Sequence, residues 1–482
     1  MPDKKNSVHP YIPNSVSAVK AEMLKELGIK DIEELYRDIP DHLRFKGKLN
    51  IPPGFPSEYA LKQHVEGILK KNQTCRDNLN FLGGGCWQHY VPAVCDEINR
   101  RSEFLTAYAG EPYEDHGRFQ SLFEYQSLMG ELLDMDVVNV PTYDWCQSAA
   151  TTIRMACRIT RRSKALVSSF ISPERMSAIK NYCHPVVTIE TIEHDPKSGL
   201  LDLDRLDSIL KKENDIAGVY FENPNYFGII ETQGEKISSL IHAKEGLSLA
   251  GVDPISLGVL KPPVQYGADI VCGDIQPLGM HMQYGGGQGG FIATRDNEKF
   301  VMEFPSRLFG ITTTEVEGEY GFGDVAYERT SFDKREAGKE FVGTHSALWG
   351  ITAGVYLALM GPQGMKDVGQ TILQKSLYAQ KTLAKIPGLK SPKFRSSHFK
   401  EFIVDFNQTG KTVKEINKAL LDHNIFGGKD LSLDFPEWGQ CGLFCITEIH
   451  TKDDIDRLAA SLSECLLQNK TRQKGNRGEA DE

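Results

Sequence analysis

Apolar positions fall along the chain in two registers. Near the start, Leu61, Val65, Ile68 and Leu69 recur at the i, i+4, i+7, i+8 spacing of an amphipathic helix opened near Ser57. Asp31 and Glu34 stand at capping-box spacing before Leu35, a second helix-start signal. From about residue 119 the pattern becomes regular. Helices over 119–133 and 145–159 precede short β-rich runs at 165–170, 186–192, 216–221, 247–252, 269–272 and 291–294. Most of these runs are separated by helical or turn segments, which predicts a mainly parallel sheet covered by helices. A long apolar helix over 347–360 is expected to stop at Gly361-Pro362. Beyond it, helical segments alternate with runs at 402–406 and 443–447, which predict a smaller C-terminal α/β domain. Residues 468–482 are polar and charged and are expected to be disordered. The expected organisation is an N-terminal helical segment (1–118), a large domain (119–360), a small domain (361–467) and a tail (468–482).

Composition narrows the function classes. The 482 residues include 55 Lys and Arg against 65 Asp and Glu, a net charge of −10. Nucleic-acid binding calls for clustered positive charge, so this balance argues against it. At 40% hydrophobic and 25% charged, the chain is globular and long enough to bury a sizeable core. No stretch approaches the roughly 20 apolar residues of a membrane span, and the two early lysines are not followed by the apolar run of a secretory signal. Ten cysteines are scattered without a Cys-X-X-Cys pair, several inside apolar runs, as in a reduced cytoplasmic protein.

Candidate chemistry lies where strands end, because ligands of open parallel sheets sit at the carboxyl ends. Asp253 directly follows the run 247–252; a turn cap and a ligand-facing carboxylate are both open readings. Asn223-Pro224-Asn225-Tyr226-Phe227-Gly228 follows 216–221, and Asn-Pro is also a plain turn-former. The glycines at 83–85 could approach a phosphate or make a turn, but no Lys-Ser/Thr follows in P-loop register. Gly285 to Gly290 matches Gly-X-Gly-X-X-Gly literally, yet it leads into a strand, where a dinucleotide fingerprint must leave one. His184, His194, His242 and His281 show no metal-ligand spacing, and no Gly-X-Ser-X-Gly elbow occurs.

Several motifs in combination carry a resemblance. They are Tyr11-Ile12-Pro13, Glu22-Met23-Leu24, Ile32-Glu33-Glu34-Leu35, Phe81-Leu82-Gly83, His89-Tyr90-Val91-Pro92-Ala93 and the run from Arg101-Ser102-Glu103-Phe104 to Tyr108. Further along come Leu122-Phe123-Glu124-Tyr125-Gln126, Asn223 to Gly228, Asp253-Pro254, Leu260-Lys261-Pro262-Pro263, Tyr266-Gly267-Ala268-Asp269-Ile270-Val271 and Gln276-Pro277-Leu278-Gly279. Through nearly its whole length the chain resembles the family of glycine dehydrogenase (decarboxylating) subunit 1, the α half of the split P-protein of the glycine cleavage system.

The resemblance implies a fold-type-I pyridoxal-phosphate (PLP) transferase architecture with a seven-stranded, mostly parallel sheet. It also implies a heterotetrameric complex that decarboxylates glycine and passes the aminomethyl group to the lipoyl H-protein. In that family the catalytic subunit holds PLP as a Schiff base on the lysine of a His-Lys pair. The cofactor acts as an electron sink as CO2 leaves, and an Asp at a strand end pairs with the ring nitrogen. Asp253 matches that Asp. The His-Lys pair falls on Gln276-Pro277, and proline has no amine with which to form a Schiff base. Lys261 lies too early and Lys299 too late. The resemblance therefore places PLP on the lysine-bearing partner, glycine dehydrogenase subunit 2, with none held covalently here. Cofactor contacts at Asp253, Pro277, Tyr143 and Asp144 are read as degenerate.

Three departures fall near the family's pocket. Tyr143-Asp144-Trp145 stands for Tyr-Asp-Gly, and a Trp there would fill the turn whose N–H groups bind phosphate. His116-Gly117-Arg118-Phe119-Gln120 and Lys339-Glu340-Phe341-Val342-Gly343-Thr344 depart likewise. Drift in a vacant pocket explains them; so does a paralogous scaffold or regulatory subunit serving a different partner or amine. An independent PLP enzyme using an unidentified lysine is the third reading.

Overall fold

The runs with no polar interruption become the middle of a sheet buried on both faces. The computed structural model describes residues 8–9, 11–104, 116–340 and 346–475. These divide into two compact units, Met1–Gln73 and Thr74–Glu482.

In the second unit, seven strands form one sheet: β1 (Val137–Val138), β2 (Lys164–Ser168), β3 (Thr188–Ile192), β4 (Ile216–Glu222), β5 (Leu247–Val252), β6 (Ile270–Asp274) and β7 (Gly290–Thr294). Their order is β1-β7-β6-β5-β4-β2-β3. Strands β2 to β6 are mutually parallel, while β7 runs antiparallel to β6 and β1 antiparallel to β7. Every residue of β4, β5 and β6 is buried, which is why their sequences read as near-continuous apolar runs, with Ser248 inside β5 and Glu222 and Asp274 at the ends of β4 and β6. Alternate side chains serve opposite faces. Val219, Phe221, Ala250, Val252 and Val271 share one core. Tyr220, Leu249, Ile270 and Cys272 share the other.

Helices cover both faces. Helix α1 (His116–Leu133) contributes Tyr125, Met129 and Leu133 to the first core, joined by Leu206 and Ile209 of α4 (Leu203–Lys212) and Ile237 and Ile241 of α5 (Gly234–His242). Helix α2 (Trp145–Thr160) and α3 (Pro173–Cys183) supply Ala149, Ile153, Ile179 and Cys183 to the second. Their starts follow from side-chain caps: Asp144 accepts from Gln147 N at 2.7 Å and Ser172 from Arg175 N at 3.0 Å. Helix α2 ends where Arg161 turns left-handed at φ 56°.

The long helix breaks where the stop signal stands. Helix α6 spans Ala347–Leu383, with Gly361 at φ 59° and ψ −178° inside it. Gly361-Pro362 breaks the helical dihedrals and a second helical run follows directly, because proline is suited to the first position of the resumed run. Beyond it, β8 (Glu401–Asp405), β9 (Lys429–Asp430) and β10 (Cys441–Cys445) form an antiparallel sheet in the order β8-β10-β9. Phe402, Val404 and Phe444 of that sheet pack with Ile416 and Leu420 of α7 (Val413–Leu421) and Leu458 of α8 (Lys452–Gly475). Helix α8 runs past Gln468 to Gly475; residues 476–482 lie outside the described residues.

The described residues 74–104 also belong to the second unit. Leu79–Asn80 pairs in parallel with Ile425–Phe426, and Phe81, Trp87 and Cys95 are buried. In the first unit, the Asp31–Glu34 capping box forms over a short 3-10 turn, Ile32–Tyr36. Ser57 caps the helix Glu58–Leu69 through Ala60 N at 3.2 Å. None of this unit's described residues is buried. No described helix is long and apolar enough to cross a membrane.

One glycine ties the loop after β4 to the C-terminal sheet. Gly228 has φ 77°, and a Cβ there would lie 1.9 Å from the carbonyl oxygen of Glu401. Gly228→Ala is expected to destabilise the chain by about 3 kcal/mol or more, combining left-handed strain with overpacking, read as a lower urea midpoint at unchanged slope.

Candidate functional site

Charged side chains converge at the carboxyl ends of β4, β5 and β6. Asp253 leaves β5 and does cap a turn, accepting from Ile255 N at 3.1 Å. Its Oδ2 lies 2.7 Å from Lys400 Nζ, with both side chains almost fully buried. Oδ2 has no well-aligned hydrogen-bond donor, so the ion pair is what compensates this oxygen. Lys400 arrives from the residue preceding β8. Its Nζ lies 3.3 Å from His89 Nε2 and 3.3 Å from the centroid of the Trp87 ring. His89 Nδ1 meets Glu448 Oε2 at 2.7 Å, and Tyr90 N donates to Glu448 Oε1 at 2.6 Å. Burial pushes the Glu448 carboxyl up, but His89 and the Tyr90 N–H overcome it and hold the group at about 2.

A second buried pair stands beside the first. Arg175 Nη1 donates to Glu222 Oε1 at 2.6 Å, and the guanidinium stacks 3.9 Å over the Trp145 ring. Trp145 Nε1 donates to the Tyr220 hydroxyl at 3.1 Å, and that hydroxyl donates to Glu222 Oε1 at 2.9 Å. Burial raises the Glu222 carboxyl, opposed by Arg175 and Tyr220. Between the two pairs lies a small cavity whose walls include Gly85, Trp87, Trp145, Arg175, Tyr226 and Lys400.

The N-terminus of α2 is already engaged. Trp145 N donates to Asp274 Oδ2 at 3.2 Å and Gln147 N to Asp144 Oδ1 at 2.7 Å. Tyr143 is exposed, and its N–H donates to Gln147 Oε1 at 3.0 Å. Asp274, at the end of β6, also accepts from Gln276 N and Gly289 N. Pro277 sits in the buried turn after β6. The preceding Gln276 ties that turn to Trp87, accepting from its N–H at 3.2 Å and donating to its carbonyl at 2.9 Å. Lys261 and Lys299 are exposed.

The other candidates take structural places. Asn223 exchanges two hydrogen bonds with the Glu231 backbone, and Asn225 Oδ1 accepts from Phe227 N and Ile229 N, so this loop is braced by its own side chains. Gly84 N donates to Glu401 Oε1 at 2.7 Å, a carboxylate of the chain itself. Gly289 N serves Asp274. His194 stacks on Phe170, with burial pushing its pKa down to about 3. His242 and His281 pair with Asp269 and Asp96. Among the described residues no group of His, Cys, Asp and Glu is arranged to hold a metal. Residues 105–108 and 341–344 of the quoted motifs lie outside the described residues. Glu340 is buried and pairs with Arg154 at 3.3 Å and Arg158 at 3.1 Å. Sequence reasoning missed Lys400, Arg175, Glu222 and His89 as site residues. The one available signal was charge set against apolar runs, in Phe399-Lys400-Glu401 and Tyr220-Phe221-Glu222.

Comparison with known proteins shows the family. Residues 9–462 match the family model "Glycine cleavage system P-protein". The chain is 39% identical over 466 residues to the probable glycine dehydrogenase (decarboxylating) subunit 1 of Staphylothermus marinus, covering 95% of this chain and 98% of that one. Among solved structures it is similar to a glycine decarboxylase (P-protein) of the glycine cleavage system in inhibitor-bound form, with a TM-score of 0.82, 29% identity, and 95% and 100% of the two chains covered. It also shares its fold with the sphingosine-1-phosphate lyase of Burkholderia pseudomallei, with a TM-score of 0.62, 14% identity, and 90% and 96% covered. The fold class is that of the fold-type-I PLP-dependent enzymes.

Asp274 makes the site sensitive to pH. Burial pushes its carboxyl up to about 7, against the pull of its backbone N–H donors. A folded pKa above the unfolded value of about 3.9 contributes stability that is full below pH 4 and lost as pH rises through 7. The expected loss between pH 4 and 8 is about 4 kcal/mol. Asp274→Asn should flatten that slope when unfolding free energy is measured against pH.

Proposed function

The chain belongs to the glycine cleavage system P-protein family, and from that premise we propose that it is the cofactor-free subunit of a split glycine dehydrogenase (aminomethyl-transferring). It pairs with a lysine-bearing subunit 2, in a dimer of heterodimers, to decarboxylate glycine and load the lipoyl arm of the H-protein in the cytoplasm. The carrying observation is the state of the position where the family's catalytic subunit holds its cofactor lysine. Pro277 stands there, in a turn closed by Gln276 and Trp87.

The surrounding residues do not fit PLP in the manner of the fold family. The carboxylate that would meet the ring nitrogen is held by Lys400. The N–H groups at the start of α2 that would face a phosphate serve Asp144 and Asp274, so a phosphate would meet two carboxylates. Nor is Lys400 a displaced Schiff-base lysine. It stands at the ring-nitrogen end, and the aldehyde carbon of PLP is attached across the ring from that nitrogen. The cofactor therefore belongs to the partner, and no bond-making step is routed through this chain's own pocket.

The test is reconstitution. Mixed with subunit 2 and lipoyl H-protein, the chain should support glycine–bicarbonate exchange that neither subunit sustains alone. Borohydride reduction of the active complex should leave the pyridoxyl adduct on subunit 2. An adduct on this chain, or exchange indifferent to its presence, would remove the reading.

A further inference from the structure

A buried carboxylate at the end of a central strand carries an electrostatic debt whatever its history. Removing an ion from water costs several kcal/mol even after relaxation, unless a partner and hydrogen bonds compensate it. Asp253 is 4% exposed, at the end of a strand with no exposed residue. In a PLP-binding member of the fold the compensating charge arrives with the cofactor. This chain, on the reading above, has none, so the cation must come from its own side chains.

Lys400 has the surroundings of a site built for one cation. Asp253 Oδ2 lies 2.7 Å from its ammonium on one side. On another, His89 Nε2 lies 3.3 Å away. When His89 Nδ1 donates to Glu448, Nε2 keeps its lone pair and accepts from the ammonium, which fixes the tautomer. The Trp87 ring presents its negative face at 3.3 Å. Each of the three neighbours is complementary to positive charge. They come from widely separated parts of the sequence: the end of β5, the segment 87–89, and, through Glu448, the stretch after β10.

We infer that Lys400 is an internal replacement for the protonated ring nitrogen of PLP, seated on Asp253 and closing this chain's vestigial cofactor site from within. The inference rests on the cofactor-free reading above and adds to it a named residue and a stability consequence. The site is a cation site with its cation built in. Trp145, stacked on Arg175 and bonded to Tyr220, and the carboxylates at the start of α2 occupy the neighbouring positions.

The experiment is a stability cycle on the full-length chain with chemical rescue. Lys400→Ala should lower the melting temperature by at least several degrees, because it strands the Asp253 charge. Lys400→Met/Asp253→Asn, which removes both charges while keeping similar shapes, should recover most of that loss. Ethylammonium chloride should raise the melting temperature of Lys400→Ala, whereas sodium chloride at equal ionic strength and ethanol should not, and the wild type should respond to none. Wild-type stability in Lys400→Ala, an equal loss in the Asp253→Asn background, failure of both the single and the double variant to fold, or absence of ethylammonium rescue would each overturn the inference. Equilibrium dialysis of the wild type with PLP separates the two readings. Stoichiometric binding, even without a borohydride adduct, overturns the cofactor-free subunit and the internal cation with it; no binding together with wild-type stability in Lys400→Ala overturns the internal cation alone. An adduct overturns the cofactor-free subunit itself. Exchange failing in reconstitution leaves the stability cycle intact.

Discussion

Glu222, Asp253 and Asp274 are buried at the ends of central strands, so each carboxylate needs a counter-charge or hydrogen-bond donors from within the chain. That constraint orders the centre of this protein. Asp253 leaves β5 and meets Lys400; Glu222 ends β4 and meets Arg175; Asp274 ends β6 and is held by three backbone N–H groups. Each solution recruits a different element. Arg175 is brought by α3, whose first turn is set by Ser172 and Pro173. Lys400 is brought by the chain just before β8, and the donors to Asp274 by the start of α2 and the loops beside β6 and β7. Packing around the strand ends is therefore electrostatic as much as apolar. Removing one member of a pair costs far more than removing both, because a lone buried charge is the expensive state.

The scaffold was legible because its signals are local. β4 and β5 read as strands since parallel strands buried on both faces show near-continuous apolar runs, and α2 was placed by its pattern. Asp253 stood out by its place after a strand, and the structure gives it a turn cap and an ion pair together. Gly361-Pro362 was legible as a helix stop: the helical dihedrals break at Gly361 and a second helical run follows directly, with Ile351 and Leu357 before the kink and Ile372 after it buried. Lys400 was hard to assign for the opposite reason, although its charge stands against an apolar run. Its partner lies in a distant part of the chain, and nothing in Phe399-Lys400-Glu401 distinguishes a buried ammonium from a solvated one. The same holds for Arg175, whose charge looks like the ordinary polar face of a helix until Glu222 is seen beneath it.

On the proposed cofactor-free reading, the proline at the turn after β6 and the internal cation have one physical origin. A site that binds a cationic ring has a fixed negative charge waiting for it. A chain that no longer carries the ring can delete that charge or answer it. This chain retains Asp253, which still caps the turn after β5, and answers it from the C-terminal sheet. The reply has a structural effect beyond neutralisation. Lys400 immediately precedes β8, so its ion pair fastens the antiparallel sheet to the end of the parallel one, at the same seam where Gly228 lies against the backbone of Glu401. Glu401 in turn takes the N–H of Gly84 and brings the N-terminal glycine turn to the same place. The junction between the two sheets is thereby held by the Asp253–Lys400 ion pair. On the proposed reading, the chain keeps the fold of the enzyme while the reactive amine belongs to another subunit.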